Sequence, residues 1–268
     1  MPKVAVIGGT GVYDPGILEN VREEKIETEF GIAKVVVGYY RGEEVAFLNR
    51  HGAGHSLPPH LVNYRANIEA LRVLGVQRVV ATAAVGSLNP LMVPGDFVLV
   101  DQFLDFTKQR QATFYEGEER GVVHCDMTNP YCPHLREILF RVGSDLGLRM
   151  HQEGVYVCTE GPRFETAAEI RMFRMLGGDV VGMTSVPECV LAREAGMCYA
   201  TVAMVTNMAA GITSERLTHS EVLEVMKANV SKLRQLLTAS IIHVGVEPEC
   251  ECQAIRQEIE KLRQRKKG

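Results

Sequence analysis

Lys3-Val4-Ala5-Val6-Ile7-Gly8-Gly9-Thr10-Gly11 is the stretch on which the fold turns. A short apolar run rich in valine and isoleucine reads as a buried strand, and the glycines end it at once. Glycines after a strand let backbone N–H groups point into a concavity that holds an anion, and Thr10 adds a hydroxyl donor. Alone, the same residues are also a plain tight turn. They resemble the start of a dinucleotide site as well, but the full G-x-G-x-x-G is missing.

Working outward, strands and helices alternate. Ala33–Tyr39 and Glu44–Leu48 read as strands joined by a turn at Arg41-Gly42. Leu61–Leu74 reads as a helix with Leu61, Ile68, Leu71 and Leu74 on one face, closed by Gly75. Arg78–Ala83, running into Val85-Gly86-Ser87, and Asp96–Val100 read as strands. Residues 105–132 are polar and punctuated by Gly and Pro, an irregular excursion. His134–Leu146 reads as a helix, Gly154–Cys158 as a strand, Thr166–Leu176 and Pro187–Ala195 as helices. Cys198–Val205 is a core strand and Ser220–Val244 a long helix. This alternation predicts an α/β layer fold. One domain spans 1–246, and 247–268 is a charged amphipathic extension with Ile255, Ile259 and Leu262 at helical spacing, packing on the body or on another subunit.

The 268 residues are 46% hydrophobic and 23% charged, which is ample for a buried core. A net charge of −4 gives no large cationic field, so nucleic acid is not an expected partner. No apolar stretch approaches the roughly 18 residues of a membrane span, and no charged leader precedes the first strand. The seven cysteines show no Cys/His spacing of zinc type, so no metal is expected, and a reducing cytoplasm is the simplest location. Cys250 and Cys252, one residue apart, are either a strained, exchangeable disulfide or two incidental tail thiols.

Chemistry concentrates in a few segments. Glu165, in Gly161-Pro162-Arg163-Phe164-Glu165, is a carboxylate that accepts from N–H; Asn207, ending an apolar run, is a carboxamide that donates and accepts. The pair suits a 6-oxopurine, with Glu165 on N1–H and Asn207 on O6 and N7. Arg50 and His51 follow the third strand; Arg50 offers a planar fork to phosphate and His51 one further donor. The small residues Ala81–Ser87, with Ala83 and Ala84 among them, let a ligand approach the backbone closely. Thr184 could donate to phosphate, and Met183 could lie under a sugar. His219 opens the long helix, where it is either a surface residue or a partner for a sugar hydroxyl. Each segment also has an ordinary structural explanation: a surface salt bridge for Arg50, helix–sheet packing for Ala81–Ser87, a core Met and a capping Thr at 183 and 184.

Together, Ile7–Gly11, Asn49-Arg50-His51-Gly52, Asn63-Tyr64-Arg65-Ala66-Asn67, Gly161–Glu165 and Met183–Glu188 resemble the trimeric purine nucleoside phosphorylase and methylthioadenosine phosphorylase family, from about Lys3 to Val244. The resemblance implies a single-domain phosphorylase fold, a central mixed β-sheet, partly barrel-like, flanked by helices. It implies a phosphate site of Thr10, Arg50, His51, the Ala83 backbone N–H and Thr184. Met183 would lie under the ribose, and Phe164, Glu165 and Asn207 would hold the base. His124 matches a residue lent by a neighbouring subunit, which implies a homotrimer; pairing of trimers into a hexamer stays open. Inorganic phosphate would be a co-substrate, with no cofactor. Methylthioadenosine enzymes are known for Asp where this chain has Asn207 and Ala209, Ser where it has Glu165, and Thr where it has Ala83. All four departures lead away from 6-aminopurine recognition or toward the nucleoside phosphorylase pattern. His219 resembles the residue that bonds a nucleoside 5′-hydroxyl. Inosine and guanosine are therefore the expected substrates, with 5′-methylthioinosine or methylthioadenosine as the alternative. A nucleoside hydrolase, a dinucleotide oxidoreductase and a non-catalytic purine-binding module are weaker readings, since the full phosphate constellation is present.

Overall fold

The computed structural model describes residues 1–9, 12, 17–52, 54, 56–213, 219–245 and 250–265. The chain runs β1 (Val4–Gly8), β2 (Glu19–Thr28), β3 (Gly31–Tyr40), β4 (Glu43–Asn49), α1 (Tyr64–Val73), β5 (Arg78–Ser87), β6 (Phe97–Leu99), β7 (Gln102–Phe106), α2 (Pro133–Asp145), β8 (Met150–His151), β9 (Val155–Thr159), α3 (Ala167–Met175), β10 (Val180–Gly182), α4 (Ser185–Glu194), β11 (Cys198–Met208), α5 (His219–Val244) and α6 (Cys252–Arg265). The described strands join in one mixed sheet with the path β2-β3-β4-β1-β5-β10-β9-β7; β11 pairs with β5 and β6, and β6 with β8. The fold is α/β, a large mixed sheet flanked by helices, as expected.

β1 is wholly buried because it lies between two parallel neighbours, with Ile7 opposite Leu48 of β4 and Ala81 of β5. Strands covered on both faces need continuous apolar sequence. β5 and β11 run parallel from Cys198↔Arg78 onward, and both are buried over most of their length. On α1, Ile68 and Leu71 are fully buried. Leu61 is not on that face: it ends a short 3-10 turn at Pro59–Leu61 and is exposed, because the helix starts later, at its cap Asn63. Asn63 accepts from the Ala66 N–H at 3.0 Å.

Four strands escape the sequence reading, among them the two-residue β8. β2 carries mostly charged, exposed side chains. β7 opens the excursion that was expected to be irregular, and β10 has only three residues. The expected C-terminal helix forms as α6 and packs on the body. Cys252 and Ile259 are buried, and Arg256 donates to Gly196 O at 2.8 Å and Gln77 O at 3.2 Å.

One feature of the sheet makes room for a ligand. β1 pairs with β5 only as far as Ala81, whereas β10 pairs antiparallel with the same edge at Gly86 and Ser87. Residues 82–85 therefore lie between two partners and open on a cavity at the carboxyl ends of β1, β4, β5 and β11. Ligands in α/β sheets commonly sit where neighbouring connections diverge in this way.

Candidate active site

The cavity is about 600 Å³ and is lined by Arg50, His51, Ala83, Ala84, Phe164, Glu165, Met183, Thr184 and Asn207, so the fold brings nine of the expected residues together. Thr10 lies outside the described residues. His219 begins α5, whose Val222, Leu223 and Met226 line the same cavity. His124 is exposed and is not part of this lining.

At one end, Arg50 is 3% exposed and tightly held. Its Nε and Nη2 each donate to the Glu188 carboxylate at 2.7 Å, and Nη1 donates to Thr82 O at 3.0 Å. Glu188 is fully buried on α4 and also accepts from the Tyr199 hydroxyl at 2.7 Å. Burial alone would lower the Arg50 pKa; the Glu188 charge and hydrogen bonds more than offset this and raise it above the ordinary arginine value. A guanidinium has five N–H donors. The three bonds leave donors on Nη1 and Nη2 for an anion, with the plane of the fork already fixed. A surface salt bridge is thus ruled out for Arg50.

His51 Nδ1 lies 2.8 Å from Leu57 O. A carbonyl only accepts, so Nδ1 carries the proton, and Nε2 of the neutral ring is an acceptor. This corrects the expectation of one further donor: His51 donates from Nε2 only as an imidazolium, and when neutral it accepts, as from a P–OH. Thr184 precedes α4 and makes no side-chain capping bond, so the capping explanation fails; its N–H donates to the Tyr156 hydroxyl at 3.2 Å.

At the other end, Glu165 is half-buried and accepts from the Thr159 hydroxyl at 2.6 Å. Burial raises its pKa above the ordinary carboxylate value, partly countered by the Thr159 bond. It is placed by the start of α3, where Thr166 and Glu169 form a reciprocal capping box, with the Glu169 N–H on Thr166 Oγ1 at 3.2 Å and the Thr166 N–H on Glu169 at 2.7 Å. Arg163 clamps Glu169 from outside at 2.7 and 2.8 Å.

Asn207 owes its direction to a bulge. The register passes from Val205↔Val85 to Asn207↔Gly86, leaving Thr206 as the extra residue. The Thr206 hydroxyl lies 2.8 Å from Asn207 Oδ1 and 3.1 Å from Val85 O, so its one proton is shared between two acceptors. Asn207 Nδ2 donates to Met208 O at 2.9 Å. One N–H and one Oδ1 lone pair remain for a ligand. The carboxamide lies over Gly86, where a Cβ would come within 3.1 Å of Nδ2.

Arg110, from the irregular excursion, joins the two ends. Its Nη1 donates to Met183 O and Val186 O at 2.5 and 2.9 Å, and its Nη2 to Thr159 O and Glu160 O at 3.1 and 2.8 Å. It therefore locks the Met183-Thr184 loop to the strand that leads to Glu165. Sequence reasoning gave no role to Arg110, Glu188, Tyr199, Thr206 or Thr159. For Glu188, the Pro187-Glu188 step inside an apolar helix was the available signal: a carboxylate there must have a buried partner.

The Phosphorylase superfamily model matches residues 3–242. The chain is 58% identical over 258 residues to a probable 6-oxopurine nucleoside phosphorylase of Moorella thermoacetica, covering 96% of this chain and 99% of that protein. It is 57% identical to the 6-oxopurine nucleoside phosphorylase of Pyrococcus furiosus, covering 94% and 97%. A solved structure of methylthioadenosine phosphorylase from Schistosoma mansoni superposes with a TM-score of 0.90 at 35% identity, covering 97% of each chain. With its cavity at the strand ends, and with these likenesses over nearly its whole length, the chain belongs to the phosphorylase superfamily.

Proposed function

We propose that the chain catalyses the reversible phosphorolysis of 6-oxopurine nucleosides, inosine and guanosine, to free base and ribose 1-phosphate. The observation that carries this reading is the pairing, in one cavity, of a carboxamide and a carboxylate with a fixed guanidinium fork. Phosphate sits on Arg50, His51, Thr184, the Ala83 N–H and Thr10, beneath a ribose that rests on Met183. It attacks the anomeric carbon as the glycosidic bond breaks. Positive charge develops on the sugar and negative charge on the purine, and the phosphate dianion stabilises the first. The Asn207 N–H supports O6, Glu165 accepts from N1–H, and once the departing purine anion has taken up a proton from solvent at N7, the Asn207 Oδ1 accepts from that N7–H. Phe164 and Ala84 flank the substrate. No covalent enzyme intermediate is needed.

By the family resemblance, His124 is lent to a neighbour's cavity in a homotrimer, and light scattering should report three chains or a multiple. His219 bonds the 5′-hydroxyl. A second reading, 5′-methylthioinosine, has a specific observation in its favour: Val222, Leu223 and Met226 make the α5 side of the cavity apolar. Phosphorolysis of inosine, adenosine, methylthioadenosine and methylthioinosine, with and without phosphate, tests both. Hypoxanthine from inosine only when phosphate is present, with adenosine intact, is the expected result. Preference for methylthioinosine reassigns the 5′ end alone. Turnover confined to methylthioadenosine overturns the base assignment, and phosphate-independent release overturns phosphorolysis.

A further inference from the structure

On the far side of the body from Asn207, where β11 begins, four cysteines from three parts of the chain converge. Cys132 precedes α2, Cys198 starts β11, and Cys250 and Cys252 lead into α6. Their sulfurs all lie within 4.8 Å of one another. Three of the four are buried, and all four are free thiols. Packing as small apolar groups explains the burial. It does not explain why the four sulfurs approach a single point, nor the charge that faces them.

That charge is Arg193. It is 2% exposed, and its Nη1 donates to Cys252 Sγ at 3.4 Å. Its Nη2 has no hydrogen-bond acceptor among the described residues; the Asp126 carboxylate stands off at 3.9 Å. A buried guanidinium aimed at a neutral thiol is poorly compensated; aimed at a thiolate centre it is well placed. Cys132 adds to the case. It is the N-cap of a 13-residue helix but makes no side-chain capping bond, so its sulfur stands at the positive end of the helix without serving it.

The geometry points to a structural four-thiolate site for a thiophilic divalent cation, zinc above all, formed by Cys132, Cys198, Cys250 and Cys252. Tetrahedral zinc with metal–sulfur bonds of about 2.3 Å sets its sulfurs about 3.8 Å apart, and Cys198 and Cys250 already stand at 3.6 Å. Filling the site releases four protons to solvent and leaves a centre of charge −2, which Arg193 and the α2 N-terminus offset in part. The ion ties α6 to the origins of α2 and β11. Because the site is closed by four protein ligands, its role is to fasten the tail, not to take part in catalysis. Spacing alone hid this site, since the stretches from Cys132 to Cys198 and from Cys198 to Cys250 are far longer than the short gap within a zinc-ligand pair.

The test is metal content. Full-length protein, purified anaerobically with reductant and without chelator, should hold about one zinc per chain. Cobalt(II) chloride added to metal-free reduced protein should give the near-ultraviolet sulfur-to-cobalt band and the strong visible bands of a tetrahedral thiolate site. Cys132→Ser and Cys250→Ser should each weaken or abolish that spectrum; the second alters a tail residue and keeps the test open if the first fails to fold. Removing zinc should lower the melting temperature and leave kcat/KM unchanged. Reduced protein that takes up neither zinc nor cobalt overturns the inference. So does a cobalt spectrum untouched by Cys132→Ser or Cys250→Ser, or a disulfide between any two of the four in the anaerobically isolated chain.

Discussion

The two ends of the cavity are built differently. At the Arg50 end, the guanidinium is held by partners distant in sequence: Glu188 is 138 residues away and Thr82 is 32 residues away, and both Arg50 and Glu188 are buried. At the Asn207 end, the side chains are only half-buried, and their partners are near in sequence: Thr206 and Met208 for Asn207, Thr159 for Glu165. The first end is thus part of the core, and altering it disturbs the fold. The second is a local arrangement resting on a finished scaffold, where a single side chain can be exchanged at small structural cost. This difference suits an enzyme type whose co-substrate is constant and whose base varies.

The strongest challenge to this contrast is Glu188→Gln. It removes the charge opposite Arg50 in a buried site, and breaking such a pair costs about 3–5 kcal/mol of stability. Thermal unfolding should shift accordingly, and the KM for phosphate should rise about tenfold or more, with a smaller change in the nucleoside KM. A fully stable variant with unchanged phosphate kinetics would remove the distinction between the two ends.

Asn207→Asp should leave stability within about 1 kcal/mol of the parent. A carboxylate there donates no N–H to O6 and repels the developing purine anion. Inosine kcat/KM should fall on the order of a hundredfold, from about 2–3 kcal/mol of mismatched contacts, while adenosine gains relative to inosine. Unchanged kinetics would take Asn207 out of the base site.

A pH profile sharpens the role of Glu165. Its ionised form accepts from N1–H, and burial raises its pKa above the ordinary carboxylate value. Inosine kcat/KM should therefore fall as the pH drops through that raised pKa, by about tenfold for each unit below it. Glu165→Gln should lower the plateau and remove this acid limb. An acid limb that survives in the Gln variant belongs to another group.

The smallest effect is expected from Thr206→Val. It removes the hydroxyl that steadies Asn207 Oδ1, a bond with a net value of about 1 kcal/mol. Inosine kcat/KM should fall about fivefold, with the phosphate KM unmoved.

The same contrast explains what the sequence made legible. Motifs whose meaning is local were readable: the strand and glycines at Lys3–Gly11, the carboxylate at Glu165, the carboxamide ending β11, and the buried faces of α1. Seven of the nine expected residues that meet in the cavity lie on or shortly after strands that periodicity located, β4, β5, β9 and β11, whereas Met183 and Thr184 follow β10, which it missed. What escaped was relational. Glu188, Tyr199 and Arg110 acquire meaning only from partners brought near by the fold. The direction of Asn207 depends on a bulge that no residue type announces. His51 keeps a donor at Nε2 only as an imidazolium because its Nδ1 proton goes to Leu57 O, on the backbone of a neighbouring loop. β2 was missed for another reason: most of its side chains are charged and exposed, and Ile26 is its one apolar side chain packed against the core.

That charged edge strand bears on how chains can meet. β2 ends the sheet path, and Glu19, Glu23, Lys25 and Glu27 are exposed along it. A second copy adding to this edge would set rows of glutamates beside one another, at a spacing where like charges repel. This margin of the sheet is guarded against continuation, so strand-to-strand growth from chain to chain at β2 is disfavoured even in concentrated protein.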